Sequence, residues 1–305
     1  MGAMTDDLPP APPAITCYRH PEEPTGVRCT RCERPICPAC MIPAPVGYQC
    51  PECVAAARKE FRLGPARRAR SMARTPATRV LLAAILAAFV LEIALGGPRA
   101  LLNGPSGQRL FDLGGLYAPA IAFDGQYWRL LSSMFLHAGL LHVGFNSYAL
   151  WLFGSAVEGV FGRARFLAIY FVTGLVAGAS SYAFGATQAL GVGASGAIFG
   201  VFGAFVAYNY RRRHLALASA NLRSAITIVL LNVFLGLSIP GIDLRAHIGG
   251  FVAGLAAGVV SDEVGPLDLR RLLHWGGLLA IALLGVGLVM WRTAQLRSLP
   301  FGPGL

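Results

Sequence analysis

Seven apolar stretches, at about residues 80–96, 130–155, 166–184, 195–210, 224–240, 244–261 and 274–291, dominate this 305-residue chain. A helix rises about 1.5 Å per residue, so the roughly 20 residues that cross ~30 Å of hydrocarbon match most of these runs. The fifth and sixth are kept from fusing by Pro240-Gly241-Ile242-Asp243, a turn signal. With 55% hydrophobic and only 13% charged residues, the chain lies outside the range of ordinary soluble domains. The fold class expected is an all-α polytopic membrane protein. The first 60 residues are polar and rich in cysteine, so no cleavable signal peptide is expected.

The basic residues give an orientation. With the N-terminus inside, the inner segments next to the membrane (from residue 54 onward) hold sixteen Arg and Lys and the outer segments six. Cytoplasmic loops collect these residues, so a plasma-membrane protein with a cytoplasmic N-terminus and an outside C-terminus is expected. The net charge of +11 then reflects topology. Without a basic groove interleaved with aromatics, no nucleic-acid partner is expected. Trp275 and Trp291 bracket the last stretch as interface anchors, His214 and His274 are solvated boundary residues, and the segment 97–129 is a structured outer loop.

Polar residues within such helices are costly and mark function. Ser195, in Gly193-Ala194-Ser195-Gly196, and His247, in Ala246-His247-Ile248-Gly249-Gly250, open the fourth and sixth stretches. Both stretches run from outside to inside, so the two residues share a shallow depth. A serine with a histidine is the minimal nucleophile–base pair. Gly196, Gly200 and Ala204 on one helix, and Gly250, Gly254 and Gly258 on the other, recur every four residues. Such stripes let membrane helices approach closely. If the two faces meet, Ser195 comes within reach of His247. The second stretch adds His142 and Asn146 on one face, with His137 five residues earlier. The side chains of His142 and Asn146, with the Ser195 amide, are candidate donors to a developing oxyanion. No acid stands where it could orient His247, so a dyad is expected. Taken singly, each residue has a packing explanation, and Glu92 and Glu158 read as structural. The conjunction across three helices is what points to acyl transfer.

The chain resembles the rhomboid family of intramembrane serine proteases over roughly residues 80–262. The matching residues are Trp128-Arg129, His137…His142…Asn146, Gly193-x-Ser195-Gly196 and Ala246-His247-x-x-Gly250-x-x-x-Gly254. The resemblance implies a six-helix core around a water-filled cavity, with the last stretch as a seventh, C-terminal transmembrane helix. It implies Ser195 as nucleophile and His247 as base, with His142, Asn146 and the Ser195 amide as oxyanion hole. Substrates would be transmembrane segments of other proteins, cut near the outer face with no cofactor. His137, Gly193, Gly196, Gly250, Trp128 and Arg129 would support the site. Where the family often has Tyr one turn after the serine, this chain has Phe199, which keeps aromatic packing against the histidine.

All seven cysteines lie between positions 17 and 53, in four pairs: Cys17-x2-His20, Cys29-x2-Cys32, Cys37-x2-Cys40 and Cys50-x2-Cys53. Eight such ligands suit two tetrahedral, structural Zn2+ sites. An odd cysteine count in a reducing compartment argues against disulfides. The interleaving resembles a B-box or cross-brace finger, which would join Cys17, His20, Cys37 and Cys40 at one site and Cys29, Cys32, Cys50 and Cys53 at the other. Sequential pairing is the alternative. The module would be structural or would bind a cytoplasmic protein partner.

The expected organisation is a disordered N-terminus (1–16), a zinc module (17–53), a basic cytoplasmic linker (54–79), a protease core of six helices (80–262), an inner loop with the seventh helix (263–292) and an outer tail (293–305). One rival is a catalytically silent scaffold that binds membrane proteins. The other is a channel or transporter, which would need discontinuous or charged helices at mid-membrane.

Overall fold

The computed structural model describes residues 15–44, 46–57, 75–238, 241–262 and 267–299. The lead-in before residue 15, most of the basic linker, Pro240 of the expected turn, the start of the loop after the sixth helix and the last residues of the tail lie outside them. The chain divides into two compact units, Met1–Ser71 and Met72–Leu305.

The described part of the first unit is built of short elements, with helix at residues 51–57. A single 3-10 turn, Pro38–Cys40, leads into an antiparallel pair of two-residue strands, β1 (Ile42–Pro43) and β2 (Tyr48–Gln49). Among its described residues the buried hydrophobic ones are Ile36 and five cysteines, Cys17, Cys29, Cys37, Cys40 and Cys50. A core this small cannot hold the described segment together by hydrophobic burial alone.

The second unit is helical. Its long elements are α1 (Pro76–Gly96), α2, α3 (Arg163–Phe184), α4 (Ser195–Arg211), α5 (Ala216–Ser238), α6 (Leu244–Ser261) and α7 (Leu267–Arg297). Among the described residues α1, α3, α5, α6 and α7 are long and apolar enough to cross a membrane. With 17 residues, α4 is about 26 Å long, short of the ~30 Å hydrocarbon core. α2 is built of Leu140–Ala149, a π-helical segment Leu150–Gly154 and Ser155–Phe161. The outward faces of these helices are apolar, as Leu141, Leu230, Phe234 and Leu284 illustrate with 65–75% of their surface exposed. A belt of this kind suits lipid and would aggregate in water. The protein is a polytopic, all-α membrane protein, with six core helices and a seventh at the C-terminal end among the described residues.

The second apolar stretch is not one helix. Arg129–Ser132 and Ser133–Phe135 are short turns, and the chain then extends through Leu136 before α2 begins at Leu140. His137 therefore lies in the break before α2, contrary to the sequence expectation. Gly139, at φ +108°, makes the break: a Cβ there would also strike the Leu102 carbonyl and sit 3.1 Å from the Gly104 amide nitrogen. The seventh helix is also longer than expected, and His274 on it is buried rather than solvated.

Carboxylates, one buried and one partly buried, set the starts of two helices. Glu158 on α2 accepts from the backbone N–H of Ala77 (3.1 Å) and Thr78 (2.7 Å) and from the Thr78 hydroxyl (2.7 Å). It thereby caps α1 from a neighbouring helix, serving donors that a helix start leaves unpaired. Asp243 caps α6, accepting at 3.1 Å from both Arg245 N–H and Ala246 N–H. The Ser181 hydroxyl of α3 donates to the other oxygen of the same carboxylate.

Candidate active site

Helices α4 and α6 pack in parallel, small residue against small residue. A Cβ on Gly250 would collide with the Gly196 backbone, one on Gly254 with Gly200, and one on Gly258 would stand 2.7 Å from Ala204 Cα. The offset between partners is constant, as two parallel helices in register require. The two glycine stripes anticipated from sequence do meet. Behind them, α3 closes on α4, with Thr173 against Gly200 and Ala177 against Gly196. At the far ends of α4 and α6, Arg212 forms a two-pronged ion pair with Asp262 at 2.6 and 3.0 Å.

This packing brings His247 Nε2 to 2.9 Å from Ser195 Oγ. Ser195 is the first residue of α4 and half-buried, so its hydroxyl remains reachable. As the acceptor of the serine proton, Nε2 must be unprotonated, which leaves the proton on Nδ1. That nitrogen is buried and has no partner among the described residues. The Phe199 ring lies over the His247 imidazole, with centroids 4.3 Å apart and planes within 15°. Position 199 is one turn beyond the serine on the same helix face, so the ring restrains the imidazole by stacking alone.

The segment before α4 is tied down from two sides. β4 (Leu190–Gly191) pairs antiparallel with β3 (Leu116–Tyr117) of the outer loop, and Gly193 N–H donates to Ser133 O at 2.9 Å. Gly193 has φ +131°, and a Cβ there would stand 2.8 Å from His142 Nε2 and 3.6 Å from Ser195 Oγ. Only glycine meets both demands. His142 Nδ1 accepts from the Ala138 backbone N–H at 3.2 Å. A neutral imidazole has one proton, so the donor nitrogen of His142 is Nε2, the one beside Gly193. Asn146 is buried, and its Nδ2 has no protein partner among the described residues. As the opening residue of α4, Ser195 also has a backbone N–H with no intrahelical acceptor.

Of the remaining expected residues, His137 is fully buried, with Nδ1 donating to Phe135 O at 3.1 Å and its ring edge-on to His142 at 5.1 Å. Arg129 knits the outer loop. Its guanidinium donates to Phe111 O (2.6 Å), Gly115 O (2.9 Å) and the Gln126 side chain (2.7 Å), and lies against the rings of Phe111 and Trp128. Trp128 itself is exposed. Sequence reasoning missed the cap by Glu158, the Ser181–Asp243 contact and the β3–β4 tie. A rule that flags every charge inside a membrane helix would have found Glu158; nothing local marks the others.

In the small unit the eight sequence-selected ligands converge as two interleaved sets, Cys17/His20/Cys37/Cys40 and Cys29/Cys32/Cys50/Cys53, each with its donor atoms within 4.8 Å of one another. That is the cross-brace pairing, and the sequential alternative is excluded by it. All seven cysteines are free. A tetrahedral ion with bonds of about 2.3 Å to sulfur and about 2.0 Å to nitrogen separates its ligands by roughly 3.5–3.8 Å. The Cys32–Cys50 sulfurs are 3.8 Å apart, and His20 Nδ1 lies 3.2, 3.5 and 3.9 Å from the sulfurs of Cys37, Cys40 and Cys17. Burial opposes ionisation of Cys17, but backbone N–H groups, led by that of Cys37, outweigh it and hold the thiol down at about 6. At Cys40, burial and then the neighbouring sulfurs of Cys17 and Cys37 push the thiol up to about 11. Crowded thiols that repel one another's charge are what a dication relieves. The two sets are therefore compatible with a zinc-binding module.

Residues 124–262 match the family model for the rhomboid domain. Similar proteins include rhomboid protease GluP of Bacillus subtilis (strain 168), 38% identical over 52% of this chain and 31% of its own length. RHOMBOID-like protein 2 of Arabidopsis thaliana is 38% identical over 52% of this chain and 50% of its own length. RHOMBOID-like protein 7 of the same plant is 35% identical over 58% of this chain and 55% of its own length. The chain thus spans between about a third and about half of these relatives.

Proposed function

Since residues 124–262 match the rhomboid-domain family model, we propose that this protein is an intramembrane serine endopeptidase that cleaves transmembrane segments of other membrane proteins. The observation that carries the proposal is the 2.9 Å approach of His247 Nε2 to Ser195 Oγ at the starts of two membrane helices. In the reaction, His247 takes the Ser195 proton as the oxygen attacks the substrate carbonyl carbon. The tetrahedral oxyanion is met by the His142 Nε2–H, the Asn146 Nδ2–H and the Ser195 amide. Return of the proton from His247 to the leaving amine gives the acyl-enzyme, and His247 then activates the water that hydrolyses it. Phe199 restrains the imidazole, Gly193 leaves room for the His142 ring, and Arg129 with Trp128 holds the outer loop. His137 supports the turn before α2.

The arginine and lysine distribution supports a plasma-membrane orientation with the N-terminus in the cytoplasm and the site towards the outer face. The small unit, 17–53, would hold two structural Zn2+ ions, which supply crosslinks that its cysteine core lacks and leave no open position for catalysis. The most direct test co-expresses a tagged panel of single-pass membrane proteins with wild type and Ser195→Ala, alongside labelling by a serine-reactive fluorophosphonate. Cleavage and labelling should require both Ser195 and His247. Cleavage that persists in Ser195→Ala would refute the nucleophile; capture of clients with no cleavage or labelling by wild type would establish the scaffold reading instead.

A further inference from the structure

Glu92, on α1, is fully buried and has no part in the acyl-transfer steps above. A carboxyl group inside a membrane span is costly, and such groups persist where they serve function. Both of its oxygens are aimed at one donor, the backbone N–H of His137, at 3.0 and 3.2 Å. His137 is held again through its ring, which donates to Phe135 O. The next peptide N–H, that of Ala138, donates to His142 Nδ1 at 3.2 Å. The His137 ring also packs edge-on to the His142 ring. Three consecutive features of one extended turn therefore run from a buried carboxyl to the tautomer of a candidate oxyanion donor.

We infer that Glu92 is a positioning residue for His142. By holding the His137 peptide it fixes the direction of the Ala138 N–H, and that hydrogen bond keeps the His142 proton on Nε2, beside Gly193. Without the Glu92 acceptor, the turn between the two short segments and α2 is free to rotate. His142 can then place its proton on Nδ1 and present a lone pair where the oxyanion needs a donor. The inference rests on the reading of His142 as an oxyanion donor.

The test is a double-mutant cycle in proteoliposomes with a single-pass transmembrane substrate, kcat and KM being measured separately. Removing one oxyanion donor costs about 100-fold or more in kcat, so Glu92→Ala, which misaligns one, should lower kcat by about 10-fold or more with little change in KM. In a His142→Ala background the same substitution should change kcat by less than about twofold, because the group it serves is gone. Glu92→Gln keeps an oxygen acceptor and should restore kcat to within about threefold of wild type. Glu92→Met, close in size and without an acceptor, carries the same comparison should the alanine protein fail to fold. Nitrogen-15 spectra of histidine-labelled protein should report His142 protonated on Nε2 in wild type and Glu92→Gln, and a mixed tautomer in Glu92→Met. Equal loss of kcat in both backgrounds would overturn the inference, as would an unchanged tautomer in Glu92→Met. A His142→Ala protein with wild-type kcat would instead remove the oxyanion reading beneath it, with Ser195→Ala still inactive.

Discussion

Replacing Gly254 with alanine asks whether the α4/α6 contact sets the catalytic distance. A Cβ at this position would stand 2.6 Å from the Gly200 carbonyl carbon and 2.8 Å from its Cα. Both atoms belong to a helical backbone, so no side-chain rotation relieves the clash. Comfortable carbon–carbon contact begins near 3.5 Å, so the helices must part by about 1 Å. Carried rigidly along α6, that shift takes His247 Nε2 from 2.9 Å to beyond hydrogen-bond reach of Ser195 Oγ, which ends near 3.2 Å for proton transfer by a general base (about). Overpacking a core costs ~1–3 kcal/mol, whereas a misplacement of about 1 Å at a reacting centre costs on the order of 100-fold in rate. Gly254→Ala should therefore fold, melt somewhat lower and cleave roughly 100 times more slowly. Cleavage in proteoliposomes, fluorophosphonate labelling of Ser195 and reversible unfolding in mixed micelles read the three quantities. Gly276 and Gly287 on α7 serve as controls, since an added Cβ there meets nothing within 4 Å. Alanine at either should leave the rate unchanged and stabilise the helix by ~0.5–1 kcal/mol. A Gly254→Ala protein with wild-type cleavage and stability would refute the reasoning.

Glu158→Ala strips the cap from α1 and leaves three buried donors unserved; a loss of ~2–4 kcal/mol by reversible unfolding is expected, since bonds to a charged acceptor are worth about 1.5–3 kcal/mol each in water but less between membrane helices. A loss within measurement error would show that α1 is capped by other means. Phe199→Ala frees the His247 ring, and with aromatic stacking worth ~0.5–1.5 kcal/mol, kcat should fall roughly 2- to 10-fold, while Phe199→Tyr should stay near wild type. Arg129→Lys keeps the charge but not the planar fork that serves three acceptors; the outer loop should become more susceptible to protease added from the side it faces, and an unchanged digestion pattern would count against its role as the loop's clasp. Elemental analysis should find close to two zinc ions per chain and about one in Cys29→Ser, and a chelator should expose all seven thiols to reagent; a folded, zinc-free small unit would reverse the metal assignment.

The apolar runs fixed the helices because hydrocarbon leaves the backbone no other partner, and that rule is local. The two stripes of small residues were equally legible, since spacing four marks one helix face whatever the fold. So were the eight metal-type ligands, whose spacing of two intervening residues is a property of the chain. The break at Leu136–Gly139 was hidden, because an apolar window cannot distinguish a helix from an extended turn whose glycine is needed by a distant carbonyl. Glu158 read only as a structural carboxylate, and what it holds became visible only with the start of α1 beside it.

The amino-acid order by itself therefore determined the class of protein, the helices that would carry Ser195, His247, His142 and Asn146, and which eight residues are of metal-ligand type. Tertiary structure alone decided that the two glycine stripes face each other, that the metal-type ligands interleave rather than pair in sequence, and that Glu92 reaches the His137 peptide. Each of those outcomes depends on contacts between residues distant along the chain. Periodicity and spacing are set within a few turns of backbone, whereas the catalytic distance is set by how closely two helices can approach.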